Sequence, residues 1–173
     1  MTPGPENISP VPNRENMSNS DRRRITIPDQ DNHNASEDWI VPISSRREGR
    51  ERVISLLYEM EIKNSTAKVV MGELTLKPDP FVSERFLGIC QNDEKLKNAI
   101  TNLSQDWDTS RMPLIDYAIL RLGMFELMFC TDIPAGVILS EAVELAQKYS
   151  TESSGKFING LLSAAARELR RPD

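Results

Sequence analysis

The chain of 173 residues carries 21 Lys and Arg against 26 Asp and Glu, for a net charge of -5 and a pI near 5.1. Its length holds one domain with a real hydrophobic core, or one domain and a tail, and excludes two domains of ordinary size. The acidic balance excludes a generally basic nucleic-acid coat, so any polyanion site is a local cluster of cations.

Residues 1–44 are dominated by Pro, Asn, Ser, Asp and Glu and show no periodic apolar face that could offset the entropy of ordering them. They read as a disordered polar extension to a domain spanning residues 45–173. Within it, Arg22 to Ile27 (RRRITI) reads as a solvated basic run, with a phosphate contact or a weak strand as alternatives. Trp39, Ile40 and Val41 are its one apolar cluster and can dock on the helical domain. No apolar run approaches the roughly 20 residues of a membrane span, and the N-terminus lacks the basic-then-apolar plan of a signal peptide. The expectation is an unexported, cytoplasmic protein that contacts no membrane. Cys90 and Cys130 sit among apolar neighbours, FLGIC and LMFC, which suits buried reduced thiols.

From Ser45 onward the apolar period is helical. Ser44 or Ser45 can cap a first helix whose Val53, Leu56, Leu57 and Met60 share one face, ending near Lys63 and Asn64. A second helix is predicted from Ser65 to Leu74 with Val69, Val70 and Leu74 inward, before the Lys77 to Pro80 punctuation KPDP. A third runs from Phe81 to Cys90, turning Phe81, Phe86, Leu87 and Cys90 or Ile89 inward. Asn92 or Asp93 can cap a fourth with Leu96, Ile100 and Leu103 inside, followed by Asp106 to Asp108. The stretch Pro113 to Met128 is apolar on nearly every side, the mark of a central helix covered by neighbours. Asp132-Ile133-Pro134 breaks the chain. A helix over Val137 to Tyr149 comes next, supported by Glu144 and Lys148 at i and i+4, and then a last one opening at Thr151. The fold class is all-α, roughly seven helices with no strand alternation.

Catalytic chemistry finds little support. The single histidine, His33, lies in the extension, which excludes a histidine triad or histidine metal cluster in the domain. There is no Gly-rich phosphate loop. Asp106 with Asp108, or Glu141 with Glu144, could in principle pair as acid and base, but charged residues beside helix ends more often serve solvent or the dipole. The chain reads as a non-enzyme without cofactor or metal.

The charge pattern carries more. Arg46 and Arg50 stand at i and i+4 on a row that continues into Val53 and Leu57, so the row runs from rim to core. Cations are disfavoured at a helix N-terminus, and something else must hold positive charge there. A phosphate backbone gripped by guanidinium forks is one answer. Intrahelical pairing with Glu48 and Glu51 is the plainer one.

Three segments in order, RREGRERVISLLYEME, WDTSRMPLIDYAILRLGMFEL and DIPAGVILSEAVELAQKYSTESSGKFINGLL, resemble the bacterial transcription antitermination factor NusB over residues 46 to 166. The resemblance implies an all-α fold of two helical subdomains, no catalysis, and binding of boxA RNA as a heterodimer with NusE, the ribosomal small-subunit protein, in the RNA polymerase antitermination complex on ribosomal RNA operons. Whether the free chain is a monomer or a homodimer stays open in the sequence. Carried over by position, Arg46, Arg47 and Arg50 would contact RNA, as would Lys156, Phe157 and Asn159 of the KFxNG motif. Tyr58 and Asp116 would face NusE. The family's third consecutive arginine is Glu48 here, followed by Gly49, which costs a helix about 1 kcal/mol relative to Ala. Ser153 replaces a frequent acid, which favours RNA.

Each of these residues has a structural reading beside the functional one. Phe157 fits the core beside Ile158, Leu161 and Leu162, Asn159 and Gly160 fit close helix packing, Tyr58 fits a wet rim, and Asp116 fits the helix dipole. Two other classes stay open: the helical head domain of a ribosomal RNA cytosine methyltransferase, and a protein-interaction module without RNA binding.

Overall fold

The computed structural model describes residues 40–41, 44–104 and 111–170. In chain order the elements are β1 (Ile40–Val41), α1 (Arg46–Ile62), α2 (Ala67–Glu73), β2 (Lys77–Pro78), α3 (Pro80–Gln91), α4 (Asp93–Leu103), α5 (Leu114–Phe129), α6 (Ala135–Tyr149) and α7 (Glu152–Leu169). The all-α expectation holds. One short addition is the parallel pairing of β1 with β2, Ile40 opposite Lys77 and Val41 opposite Pro78. That pairing ties the backbone of Ile40 and Val41 to the domain, inside the stretch read as a disordered extension. Trp39, His33, the RRRITI segment, Asp106 and Asp108 lie outside the described residues.

Local chemistry starts and stops the helices. Ser45 caps α1 by accepting from the Glu48 N–H at 3.2 Å, and the Ser44 N–H donates to the Glu48 carboxylate at 2.7 Å. This is a variant of the capping box in which the carboxylate takes the N–H one residue before the cap, and it gives Glu48 a structural reason to replace a third arginine. Thr66, Asp79 and Thr151 cap α2, α3 and α7 by accepting from the backbone N–H groups of Val69, Phe81 and Ser154. Asn92 occupies the cap position of α4 but makes no side-chain cap there; its amide instead donates to the Gly88 carbonyl at 2.8 Å, closing α3.

Helix α5 is the axis of the domain, and Ala118 to Leu127 are all buried. It packs against α1, α3 and α4 and against α6 and α7. The two expected subdomains are therefore two groups of helices that share a single core along α5. On α2 the inward residue is Val70, whereas Val69, expected inside, is 45% exposed. At its far end α5 is closed by Arg170, whose guanidinium donates to the carbonyls of Leu127 at 2.8 Å, Cys130 at 2.9 Å and Glu126 at 3.0 Å. A cation over unsatisfied carbonyls suits the negative end of the helix dipole. Cys90 and Cys130 are free thiols, half-buried and buried, and desolvation pushes the Cys90 thiol up to about 11. Among the described residues no helix is long and apolar enough to cross a membrane.

Two glycines set helix spacing. A Cβ on Gly88 of α3 would stand 2.5 Å from the Phe125 ring, and one on Gly123 of α5 would stand 2.7 Å from Leu162 Cδ1. Gly160 has nothing near its missing side chain, so close packing does not explain it. The aromatic ring at Gly88 has less freedom to yield than a leucine methyl. Gly88→Ala should therefore destabilise the fold by about 1–3 kcal/mol through overpacking, measured by urea or thermal melts.

Candidate nucleic-acid interface

The site is organised from the inside outward. Glu126, in the last turns of α5 and 1% exposed, accepts from Arg50 Nε at 3.0 Å and from Arg85 Nε at 2.8 Å. Burying one carboxylate is tolerable when two guanidinium groups share it, and each arginine arrives from a different helix, α1 or α3. Arg50 then points Nη1 toward Glu141 of α6 at 3.7 Å. Glu141 is gripped by Arg47 through Nη2 at 2.8 Å and Nε at 3.2 Å, and Arg47 Nη1 pairs with Glu144 one turn further along α6. The charges alternate in sign from core to surface: Arg85, Glu126, Arg50, Glu141, Arg47, Glu144.

The Phe81 ring holds the neighbouring corner. The guanidinium carbons of Arg85, Arg46 and Arg50 lie 3.5, 4.6 and 5.9 Å from its centroid. Cations over an aromatic face are attracted by the ring quadrupole, which offsets part of the cost of crowding them. Arg46 stays exposed at the mouth of a cleft of about 400 Å³ walled by Phe81, Phe129, Ile133 and Val137.

Two further clefts continue from Arg47. One of about 350 Å³ lies between α1 and α6 and is lined by Arg47, Glu51, Glu144, Gln147 and Lys148. The next, of about 480 Å³ between α6 and α7, is lined by Glu144, Gln147, Gly155, Lys156 and Asn159 among others. Glu144 and Gln147 belong to both, so the surface runs unbroken from the start of α1 to the KFxNG motif on α7.

The expected site residues divide accordingly. Arg47, Lys156 and Asn159 are exposed along this strip, and Arg46 is exposed at the mouth of the cleft beside Phe81. Lys156 pairs at 2.8 Å with Glu152, itself largely exposed. Phe157 is half-buried against the core, as its structural reading required. Arg50 is a correction: at 4% exposure and bound to Glu126, it is an internal strut and not a surface phosphate contact. Asp116 is a second correction, because it is 3% exposed in the first turn of α5 and so lies beneath, not on, any partner surface of the free chain. Tyr58 is 43% exposed.

The intrahelical account of the arginines does not hold. Glu48 bonds to Ser44, and Glu51 takes Lys148 at 2.7 Å and the Tyr149 hydroxyl at 2.9 Å, so the arginines are not paired within their own helix. The partners of Arg47 and Arg50 are carboxylates of α5 and α6, and Arg46 lies over the Phe81 ring. Lys148 is thereby drawn to Glu51 instead of Glu144. The Arg47 guanidinium holds the Glu141 carboxyl below the usual carboxylate range, and Lys148 does the same for Glu51. Sequence reasoning missed Glu126, Arg85 and Phe81. One signal was present: a charge inside a helix apolar on every side, such as Glu126 in GMFELM, needs a buried partner.

The model of the NusB family matches residues 47–167. The chain belongs to the NusB family. The transcription antitermination protein NusB of Kineococcus radiotolerans is 34% identical over 128 residues, covering 72% of this chain and 94% of the relative. That of Myxococcus xanthus is 36% identical over 140 residues, covering 75% of this chain and the whole relative. Among solved structures, T. maritima NusB superposes with a TM-score of 0.66 at 31% identity over 73% of this chain and 94% of that one. A chain from the crystal structure of antitermination factors NusB and NusE with double-stranded RNA gives a TM-score of 0.61 at 25% identity, over 71% and 96%.

This site in a NusB-family chain has a pH signature. Because the Glu141 carboxyl is held low by Arg47, its contribution to stability is complete above the ordinary carboxylate range and is lost as pH falls through the lowered folded value. Glu141→Gln should therefore lower the melting temperature at about pH 7 and leave a smaller deficit at about pH 3, in thermal melts across that range.

Proposed function

We propose that this chain binds single-stranded boxA-type RNA together with NusE and acts, in the bacterial cytoplasm, within an RNA polymerase antitermination complex that keeps transcription of ribosomal RNA operons processive. The observation that carries the reading is the continuous strip from Arg47 to Lys156 and Asn159, through clefts that share Glu144 and Gln147, with Arg46 exposed at the mouth of a separate cleft. Guanidinium and ammonium groups along such a strip neutralise successive phosphates, while amide side chains such as Gln147 and Asn159 offer paired donors and acceptors to base edges. Family membership supports the role, and so does the related complex that contains both NusE and RNA. In this reading Tyr58 belongs to the NusE-facing surface, and Asp116 supports that surface from beneath.

The test is a titration with a single-stranded boxA-like oligonucleotide, with and without NusE, beside a duplex of the same length. Arg46→Ala, Arg47→Ala and Lys156→Ala combined should weaken binding, and the slope of log K against log salt should flatten by up to roughly 2, at about 0.7 for each lost single-strand contact. Arg46 and Lys156 are exposed and their loss should hardly move the melting curve, whereas Arg47→Ala breaks the pair with Glu141 and should lower the melting temperature as Glu141→Gln does. Unchanged affinity and slope would remove RNA from this strip.

A further inference from the structure

Arg47 is the exposed arginine best placed for phosphate, yet all three of its guanidinium nitrogens are committed. Nε and Nη2 bind Glu141 at 3.2 and 2.8 Å, and Nη1 binds Glu144. Two carboxylates around one guanidinium leave the group locally negative toward an incoming phosphate. Arg50 does not correct this, because it is buried against Glu126. The two acids are held differently. Glu141 is 17% exposed and lies between Arg47 and Arg50, whereas Glu144 is 50% exposed and has Arg47 as its only partner among the described residues. Glu144 also stands where the two clefts meet, the point at which a polyanion following the strip would pass.

We propose that Glu144 is an internal stand-in for an RNA phosphate: it occupies the outer face of Arg47 in the free protein and lowers RNA affinity until a phosphate displaces it. The proposal rests on the RNA-binding role proposed for the strip and adds an affinity-setting residue to it. A carboxylate and a phosphate present similar oxygens to the arginine fork, so one can replace the other without moving the backbone. An ion pair this exposed is weak, which lets a phosphate win the exchange. Glu141 stays behind, aiming the guanidinium. Since one anion replaces another, Arg47 contributes little counterion release in the wild-type chain and a full share once Glu144 is neutral.

The experiment is a double-mutant cycle on the full chain: wild type, Glu144→Gln, Arg47→Ala and the double variant. Each is titrated by fluorescence anisotropy with single-stranded boxA-like RNA, NusE present, over a range of salt concentrations. Glu144→Gln should tighten binding by about three- to tenfold at low salt and steepen the salt slope by about 0.7. In the Arg47→Ala background the same change should have almost no effect. An equal gain in both backgrounds would mean general charge removal and overturn the proposal, as would no gain in the wild-type background; either leaves the RNA-binding reading standing. If none of the four proteins binds RNA, that reading falls and the inference with it.

Discussion

Glu126 is the contact on which the rest of the arrangement depends. It is a carboxylate in the middle of the core, reached by Arg50 from α1 and Arg85 from α3. A lone carboxylate there would be strongly unfavourable, and two guanidinium partners make it tolerable. Hydrophobic packing alone allows helices to slide or rotate by small amounts at little cost. A shared buried acid does not, because a displaced arginine leaves an uncompensated charge behind. The angular position of α1 relative to α5 is thus tied to a polar contact as well as to Val53, Ile54, Leu56 and Leu57.

The same contact gives the surface its order. Arg50 carries the alternation of charge from Glu126 to Glu141, and Glu141 presents Arg47 in a defined direction at the rim. Exposed arginines are ordinarily mobile, and aiming one reduces the entropy lost when it meets a ligand. The acids of α6 therefore do two opposed things. Glu141 orients the guanidinium, and Glu144 competes for it.

Other charges in the core follow the same pattern. Arg121 of α5 is 1% exposed, lies 2.9 Å from Glu61 of α1 and 3.2 Å from Asp93 of α4, and stacks over Tyr117 at 4.5 Å. Arg170 of the last helix binds the carbonyls that end α5. Arginine, always charged and with a planar fork of donors, links α5 to its neighbours at several heights. The acidic total of the chain hides this, since Glu61, Asp93, Glu126, Glu141 and Glu144 are the partners of buried or aimed arginines.

The sequence by itself determined what depends on neighbours within a few positions. Helix faces follow a period of 3.6 residues, Ser45, Thr151 and the Asp132-Ile133-Pro134 break mark helix ends, and α5 declares itself central by being apolar all round. The cap of Ser45 on the Glu48 N–H, with Glu48 turning back to Ser44, was equally local, and its S-x-x-E spacing was there to be read. The tertiary structure alone decided which arginine is exposed. Arg46, Arg47 and Arg50 look alike in sequence, but the partner of Arg50 is Glu126 and that of Arg47 is Glu141, 76 and 94 positions away. Such pairs form only when α5 and α6 pack beside α1. Position on a helix tells which way a side chain leaves it, whereas the opposing helix decides whether that side chain meets water, a carboxylate or an aromatic ring.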